Sequence, residues 1–376
     1  MTSPESVFQH DNPFTIGIEE EYMLCNPETG ELINRANEIM DNIDSDLKSR
    51  YSYELILSEI EINTSVCKTV SEAIEEITFL RGNTKILGES CGFRLGISGT
   101  HPTAICKDQL FVDNDSYRWV AEQLSYYARR NITFANHVHV AVNGAECAIH
   151  VANSLRRWIT PLLALSTNSP FFEGELTGLR SSRTFQFGVF PRTNIPVRFN
   201  NFKEYSRLID KYLETNTITK PRQIWWKIRP HIDFGTIEFR ICDAQRSLRN
   251  IEMLAALAQA LVYRAVEEYN SNTLLESFNM EYLYDGLWKA SRFSMEANII
   301  DPVTYEVCTI KEQIDQMMEY TNDSLQYFNN SHIVKYVNHI CENGTEGDDQ
   351  MEVYNNFGFD GLKSYLMDNI EFQLNY

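Results

Sequence analysis

Cations are scarce in this sequence. Across 376 residues, 33 lysines and arginines stand against 52 aspartates and glutamates, a formal charge of −19. That balance repels polyanions, which argues against nucleic acid and anionic membrane surfaces as partners and leaves any anionic substrate to a few local cations. Glycine (17) and proline (11) are thinly spread, and neither a repeat nor a low-complexity linker interrupts the chain. No GxGxxG or GxxxxGK[ST] is present, so phosphate binding has to rest on metal ions and arginines and not on a glycine cradle. The eight cysteines (25, 67, 91, 106, 147, 242, 308, 341) contain no CxxC, which removes a zinc cluster or a disulfide framework and fits reduced thiols in a cytoplasmic protein. No uncharged run reaches membrane-spanning length. The opening MTSPESVFQHDNPF has neither a basic n-region nor an apolar core, so a soluble, unexported protein is expected.

What is present reads as an α+β chain. Extended patterns at 14–24, 56–63, 93–99, 131–142, 184–190, 224–231 and 235–242 predict strands, the last two joined by a turn at Asp233-Phe234-Gly235. Between them, Thr69-x-x-Glu72 has capping-box spacing and leads into a stripe of Ile74, Ile77, Leu80, Thr84 and Leu87, which predicts an amphipathic helix covering a sheet. Residues 145–168, with Pro161 inside and a kink expected there, and 247–270 read the same way. Helical text dominates from Leu274 onward, and ENGTEGDDQ is the clearest loop in it. One catalytic domain over 1–376 is expected, with a sheet-rich core at 14–245 carrying the site and a mostly helical part at 246–376.

The chemistry lies in pairs spaced two apart, because alternate residues of a strand share a face. TIGIEEEYML puts Glu19 and Glu21 on one face and Glu20 on the other with Ile16, Ile18, Tyr22 and Leu24; Glu20 is read as an outward neighbour, solvated or bridged behind the sheet. SEIEIN repeats the device with Glu59 and Glu61, NHVHVAV supplies His137 and His139, and TIEFRICD supplies Glu238 and Arg240. Clustered carboxylates call for a compensating hard cation, and imidazole is a common metal ligand. Arg180, Arg183 and Arg192 concentrate positive charge in one stretch, which suits carboxylate or phosphate capture. Neighbouring strands presenting such groups from one face would hold two or more Mg²⁺ or Mn²⁺ ions against the phosphates of a nucleotide. The same set would also serve a two-metal hydrolase.

These blocks, in this order, resemble the type 2 glutamate–cysteine ligase family of carboxylate–amine ligases, the bacterial YbdK-like proteins. FTIGIEEEYMLCNPETGEL, EIEINTSVC, GISGTHPTA, HVHVAV, LALSTNSPFFEGELTGLRSSR, WWKIRPHIDFGTIEFRICD and NGTEGDDQ carry the resemblance over nearly the whole chain. It implies a glutamine-synthetase-like fold, a curved, mostly antiparallel sheet covered by helices, and ATP-dependent amide formation through an acyl phosphate. It implies Glu19, His137 and Glu238 on a metal near the ATP phosphates, Glu21 and Glu61 on one nearer the substrate carboxylate, and Arg240 on the phosphoryl group in flight. His139, Arg180 and Arg183 are then expected at phosphate or substrate. The partners implied are small molecules, glutamate and an amine such as cysteine, another amino acid or a polyamine; a homodimer is also expected. A related phosphotransferase is the alternative within the fold. The sequence departs from many relatives at Ala135 and Asn136 before the histidine pair and at Gly347-Asp348-Asp349-Gln350, where an arginine is common.

Overall fold

The computed structural model describes residues 4–374. Its strands in chain order are β1 (Ile16–Cys25), β2 (Tyr51–Tyr53), β3 (Glu59–Asn63), β4 (Arg94–Gly96), β5 (Asn136–Ala141), β6 (Phe171–Phe172), β7 (Glu175–Leu176), β8 (Ile228–His231), β9 (Thr236–Phe239), β10 (Asn298–Ile300) and β11 (Val307–Thr309). Seven of them form one sheet in the order β2-β3-β1-β5-β9-β8, with β4 also on β1, and every pairing is antiparallel. The remaining four make two small hairpins, and β10 and β11 interrupt a second half that the sequence suggests is helical.

Period-two alternation gives this sheet two unlike faces. Ile16, Ile18, Ile60, Ile62, Val138, Val140, Ile237 and Phe239 are all buried on one of them. Helices Val70–Cys91 and Leu248–Asn270 pack against β1 and β5 there, with Ala145–Leu155 behind β8 and β9. Each such side chain contributes about 1.5–3 kcal/mol of burial, enough to pin the register, because a one-residue slip would send this set to the opposite face. The opposite face carries the acids and imidazoles. Thr69 caps the first helix by accepting from the Glu72 N–H (3.1 Å), whereas the Glu72 carboxylate reaches the Lys68 N–H (2.7 Å) and not that of Thr69.

Three expectations are corrected. Residues 184–190 are not a strand: Ser182–Gly188 is a helix whose Ser181 hydroxyl caps the Thr184 N–H, and its alternating phenylalanines serve separate contacts, Phe185 on Trp288 and Phe187 on Phe190. ENGTEGDDQ is not a loop beyond Gly344 and Thr345, since helix Glu346–Asp368 starts there with a reciprocal Thr345–Asp348 capping box. Its polar residues are anchors: Glu346 accepts the Arg246 and Ser247 N–H groups and Gln350 donates to Ser98 and Asn168. Residues 145–168 divide into Ala145–Leu155, a 3-10 turn at Arg156–Trp158 and Ile159–Ser166, so the break precedes Pro161.

Of the two readings of Glu20, solvated or bridged behind the sheet, the structure has the second. Glu20 is 1 % exposed and sits behind the sheet against Arg81, which donates from Nε (3.0 Å) and Nη2 (2.8 Å) to its two oxygens. The Tyr22 hydroxyl and Asn136 Nδ2 donate to the same carboxylate. Arg81 also donates to the carbonyls of Gln245, Arg246 and Glu371. Asn136 thus has a structural role here: its Nδ2 serves Glu20 while its Oδ1 accepts the Gln245 N–H (2.7 Å).

Candidate active site

The strand register assembles the site from segments far apart in the chain. Glu21 lies opposite Glu61, Glu19 opposite His137, and His139 opposite Glu238, which in turn faces Arg229. Four strands therefore set four carboxylates and two imidazoles in one field. Ligand atoms of Glu19, His137 and Glu238 lie within 4.8 Å of one another, and so do those of Glu21, Glu61 and His137. His137 joins the two clusters. Its Nδ1 is 2.8 Å from Glu19 Oε2, while Nε2 is buried without a hydrogen-bond partner and 3.8 Å from Glu21 Oε1.

The charges divide the row into two ends. Burial would push the carboxyl groups of Glu19 and Glu238 up, but His139 and His137 outweigh it at Glu19, and Arg229 and Arg240 outweigh it at Glu238, so both are held well below the ordinary value. Arg240 Nη1 donates to Glu238 Oε1 (2.6 Å), and Arg229 pairs with the other oxygen. His139 bridges this end, with Nε2 at 3.1 Å from Glu19 and 3.7 Å from Glu238 and Nδ1 on Thr236. The other end is crowded with like charge. Burial, joined by neighbouring carboxylates, pushes Glu54, Glu59 and Glu61 well above the ordinary value.

Glu54 and Arg229 are site residues that sequence reasoning missed. Glu54 lies in the irregular segment before β3, hydrogen-bonds Glu61 and lines the cavity, with no alternating pattern around it. Arg229 was within reach: the turn after His231 sets the hairpin register that places it opposite Glu238.

A cavity of about 80 Å³ adjoins the row, lined on its polar side by Glu21, Glu54, Glu59, His137, Arg183 and Arg240. Tyr117, Phe187, Phe190 and Trp225 contribute aromatic wall. Arg183 is 3 % exposed, donates to the carbonyls of Ile241 (3.2 Å) and Arg240 (3.1 Å), and stands 3.7 Å from Asp243. The other two arginines of its stretch lie elsewhere. Arg180 pairs with Asp348 at 2.9 Å, and Arg192 sits over the Tyr212 ring; neither lines this cavity.

The donor set fits a hard divalent cation. Oxygen ligands dominate, one imidazole nitrogen is buried and unpartnered, and the carboxyls at the Glu61 end are pushed up by burial and by one another, a repulsion that a cation would relieve. Because that upward shift makes protons compete with the ion, Mg²⁺ or Mn²⁺ affinity is expected to rise with pH above the ordinary carboxylate range. The shift in Tm caused by the ion should grow accordingly, and calorimetry in two buffers should register proton release; a pH-independent shift would contradict the assignment.

The profile of the family described as glutamate-cysteine ligase family 2 matches residues 15–365. A relative from Sorangium cellulosum named "Putative glutamate--cysteine ligase 2" is 34% identical over 94% of this chain and 94% of its own length. A relative of the same name from Solibacter usitatus is 34% identical over 96% and 94%. Among solved structures, the glutamate–cysteine ligase from Francisella tularensis in complex with AMP superimposes with a TM-score of 0.74 at 12% identity, over 96% of this chain and 88% of that one. A bifunctional glutathione synthetase from Pasteurella multocida gives 0.71 at 12% identity, over 96% and 52%. The fold is the glutamine-synthetase-like one shared by these ligases.

Proposed function

This chain belongs to glutamate–cysteine ligase family 2 and is a carboxylate–amine ligase, and on that premise we propose that it joins the γ-carboxylate of glutamate to an amine with conversion of ATP to ADP. The whole chain acts as one catalytic unit in this reading. The observation that carries it is the continuous row from Glu61 to Arg229 on the open sheet face, anionic at one end and cationic at the other.

Glu19, His137 and Glu238 would hold one divalent ion, and Glu21 and Glu61, with His137 between the two clusters and Glu54 beside them, would hold a second. When bound, such ions neutralise phosphate oxygens and the substrate carboxylate. A carboxylate oxygen of glutamate attacks the γ-phosphorus, a carbonyl–O–P bond forms, the bond to the β-phosphate oxygen breaks and ADP leaves. Arg240, fixed by Glu238 and with Nε unpartnered, neutralises charge on the phosphoryl oxygens in flight. Arg229 takes the opposite oxygen of Glu238 and so keeps that carboxylate from rotating away. The amine lone pair then attacks the carbonyl carbon, the C–O bond to phosphate breaks, and the nitrogen's proton leaves with inorganic phosphate. Activation supplies what a bare carboxylate lacks, a good leaving group, and positioning accounts for most of the remaining rate.

Hydroxylamine tests this reading without knowledge of the natural amine. Purified protein with ATP, Mg²⁺ and glutamate should release ADP and form γ-glutamyl hydroxamate in equal amounts. ADP release that ignores glutamate and yields no hydroxamate would overturn it in favour of a phosphotransferase or hydrolase.

A further inference from the structure

A nucleotide whose phosphates lie on the row needs a seat for its base, and we propose that Phe234 provides it: the ring, laid flat on His231 at the tip of the β8–β9 hairpin, stacks under the base and so positions ATP. The inference rests on the ligase reading above. Phe234 is 56 % exposed. Short polar residues ordinarily occupy turns, and a large apolar ring left in water contributes little burial.

This ring is nevertheless braced. It lies on the His231 imidazole at 4.4 Å with 8° between the planes, and its other face is turned to solvent. The turn below is fixed as well. The N–H groups of Phe234 and Gly235 donate to the His231 carbonyl (3.2 and 2.8 Å), and the Gly235 carbonyl is bonded to His10 Nε2 (2.8 Å) and the Val142 N–H (3.2 Å). Gly235 has φ +67°, and a Cβ there would run into the Val7 carbonyl oxygen, so the hairpin closes only with glycine at that point.

Position supplies the role. On the face that carries the row, the Thr236–His231 pair follows the Glu238–Arg229 pair, about 7 Å further along the strands. The rings of Phe234 and His139 meet with centroids 5.7 Å apart, and His139 Nε2 is within 3.7 Å of both Glu19 and Glu238. One side chain thus separates the stack from the first cluster. A base laid on the solvent face of Phe234 leaves its ribose and α-phosphate to cross that interval, which brings the terminal phosphates to Arg240 and the proposed ions. The chain has no glycine-rich loop to orient the phosphates, so holding the other end of the nucleotide sets their direction.

The test compares Phe234→Leu, which keeps apolar bulk without a flat face, with Phe234→Trp. Calorimetry of Mg²⁺-ATP is read beside Mn²⁺ affinity and hydroxamate formation. Phe234→Leu is expected to weaken ATP binding about tenfold, the scale of one base–aromatic stack, and to raise the KM for ATP and not lower kcat. Mn²⁺ affinity and the KM for glutamate should hold, and Phe234→Trp should bind ATP as tightly as the parent. A loss of ATP affinity below about threefold in Phe234→Leu would overturn the proposal, as would an equal loss in Phe234→Trp. A parallel fall in Mn²⁺ affinity would overturn it too, by tracing the effect to a disturbed His139. Absence of hydroxamate would overturn the ligase reading alone, and the ATP and Mn²⁺ titrations then decide the seat by the same criteria.

Discussion

Glu238→Gln is expected to lower glutamate-dependent ADP release by about 10³-fold, the scale of losing preorganised charge at a phosphoryl-transfer site. Three functions fail together. The carboxylate is fully buried, belongs to the first cluster, and holds Arg240 and Arg229 on its two oxygens. A neutral amide keeps one accepting oxygen for one guanidinium and turns an NH₂ that cannot accept toward the other, with neither buried charge neutralised, so stability should fall as well, by roughly 3 kcal/mol. Denaturant unfolding beside turnover separates the two effects. Glu238→Asp, which keeps the charge but shortens the reach, should recover stability more than activity. Turnover within tenfold of the parent in Glu238→Gln would remove Glu238 from the chemistry.

Arg81→Met is expected to cost about 3–5 kcal/mol of stability. The guanidinium is 0 % exposed and the Glu20 carboxylate 1 %, so no solvent screens the pair. Its loss would strand a buried carboxylate and leave three backbone carbonyls without their donor. Combining Arg81→Met with Glu20→Leu should recover only part of the loss, because the carbonyls of Gln245, Arg246 and Glu371 stay unsatisfied. At a temperature where the variant is folded, kcat should be close to that of the parent. A shift in unfolding midpoint worth under 1 kcal/mol would show that the network is replaceable by water.

The contrast between Glu19 and Glu20 shows what the sequence made legible. Alternation alone assigns Glu19, Glu21, Glu61, His137, His139 and Glu238 to strand faces, and the structure brings them together because period two survives any strand order that keeps one face buried. The partner of Glu20 was not legible. Arg81 is 61 positions away on a helix, and nothing local distinguishes a buried acid from an exposed one on an apolar face. Glu54 escaped for a related reason, since irregular backbone has no period to read. The misread strand at 184–190 and the misread loop at 342–350 both turned on side chains that bond locally to the backbone, Ser181 in one case and Thr345 with Asp348 in the other. Arg180 and Arg183 were equivalent as sequence; only packing sent one to Asp348 and the other to the cavity.

The sheet order has a consequence for biosynthesis. The strands bearing the proposed ligands lie side by side as β3, β1, β5 and β9, yet the last of these emerges only when residue 239 has been made. A ribosome that stalls earlier releases a chain in which Glu19, Glu21, Glu54, Glu59 and Glu61 already exist and the Glu238–Arg240 segment does not. Such a chain has mutually repelling acids and no closing strand, so magnesium available during synthesis should matter to yield, and truncation before β9 should leave a product that fails to mature.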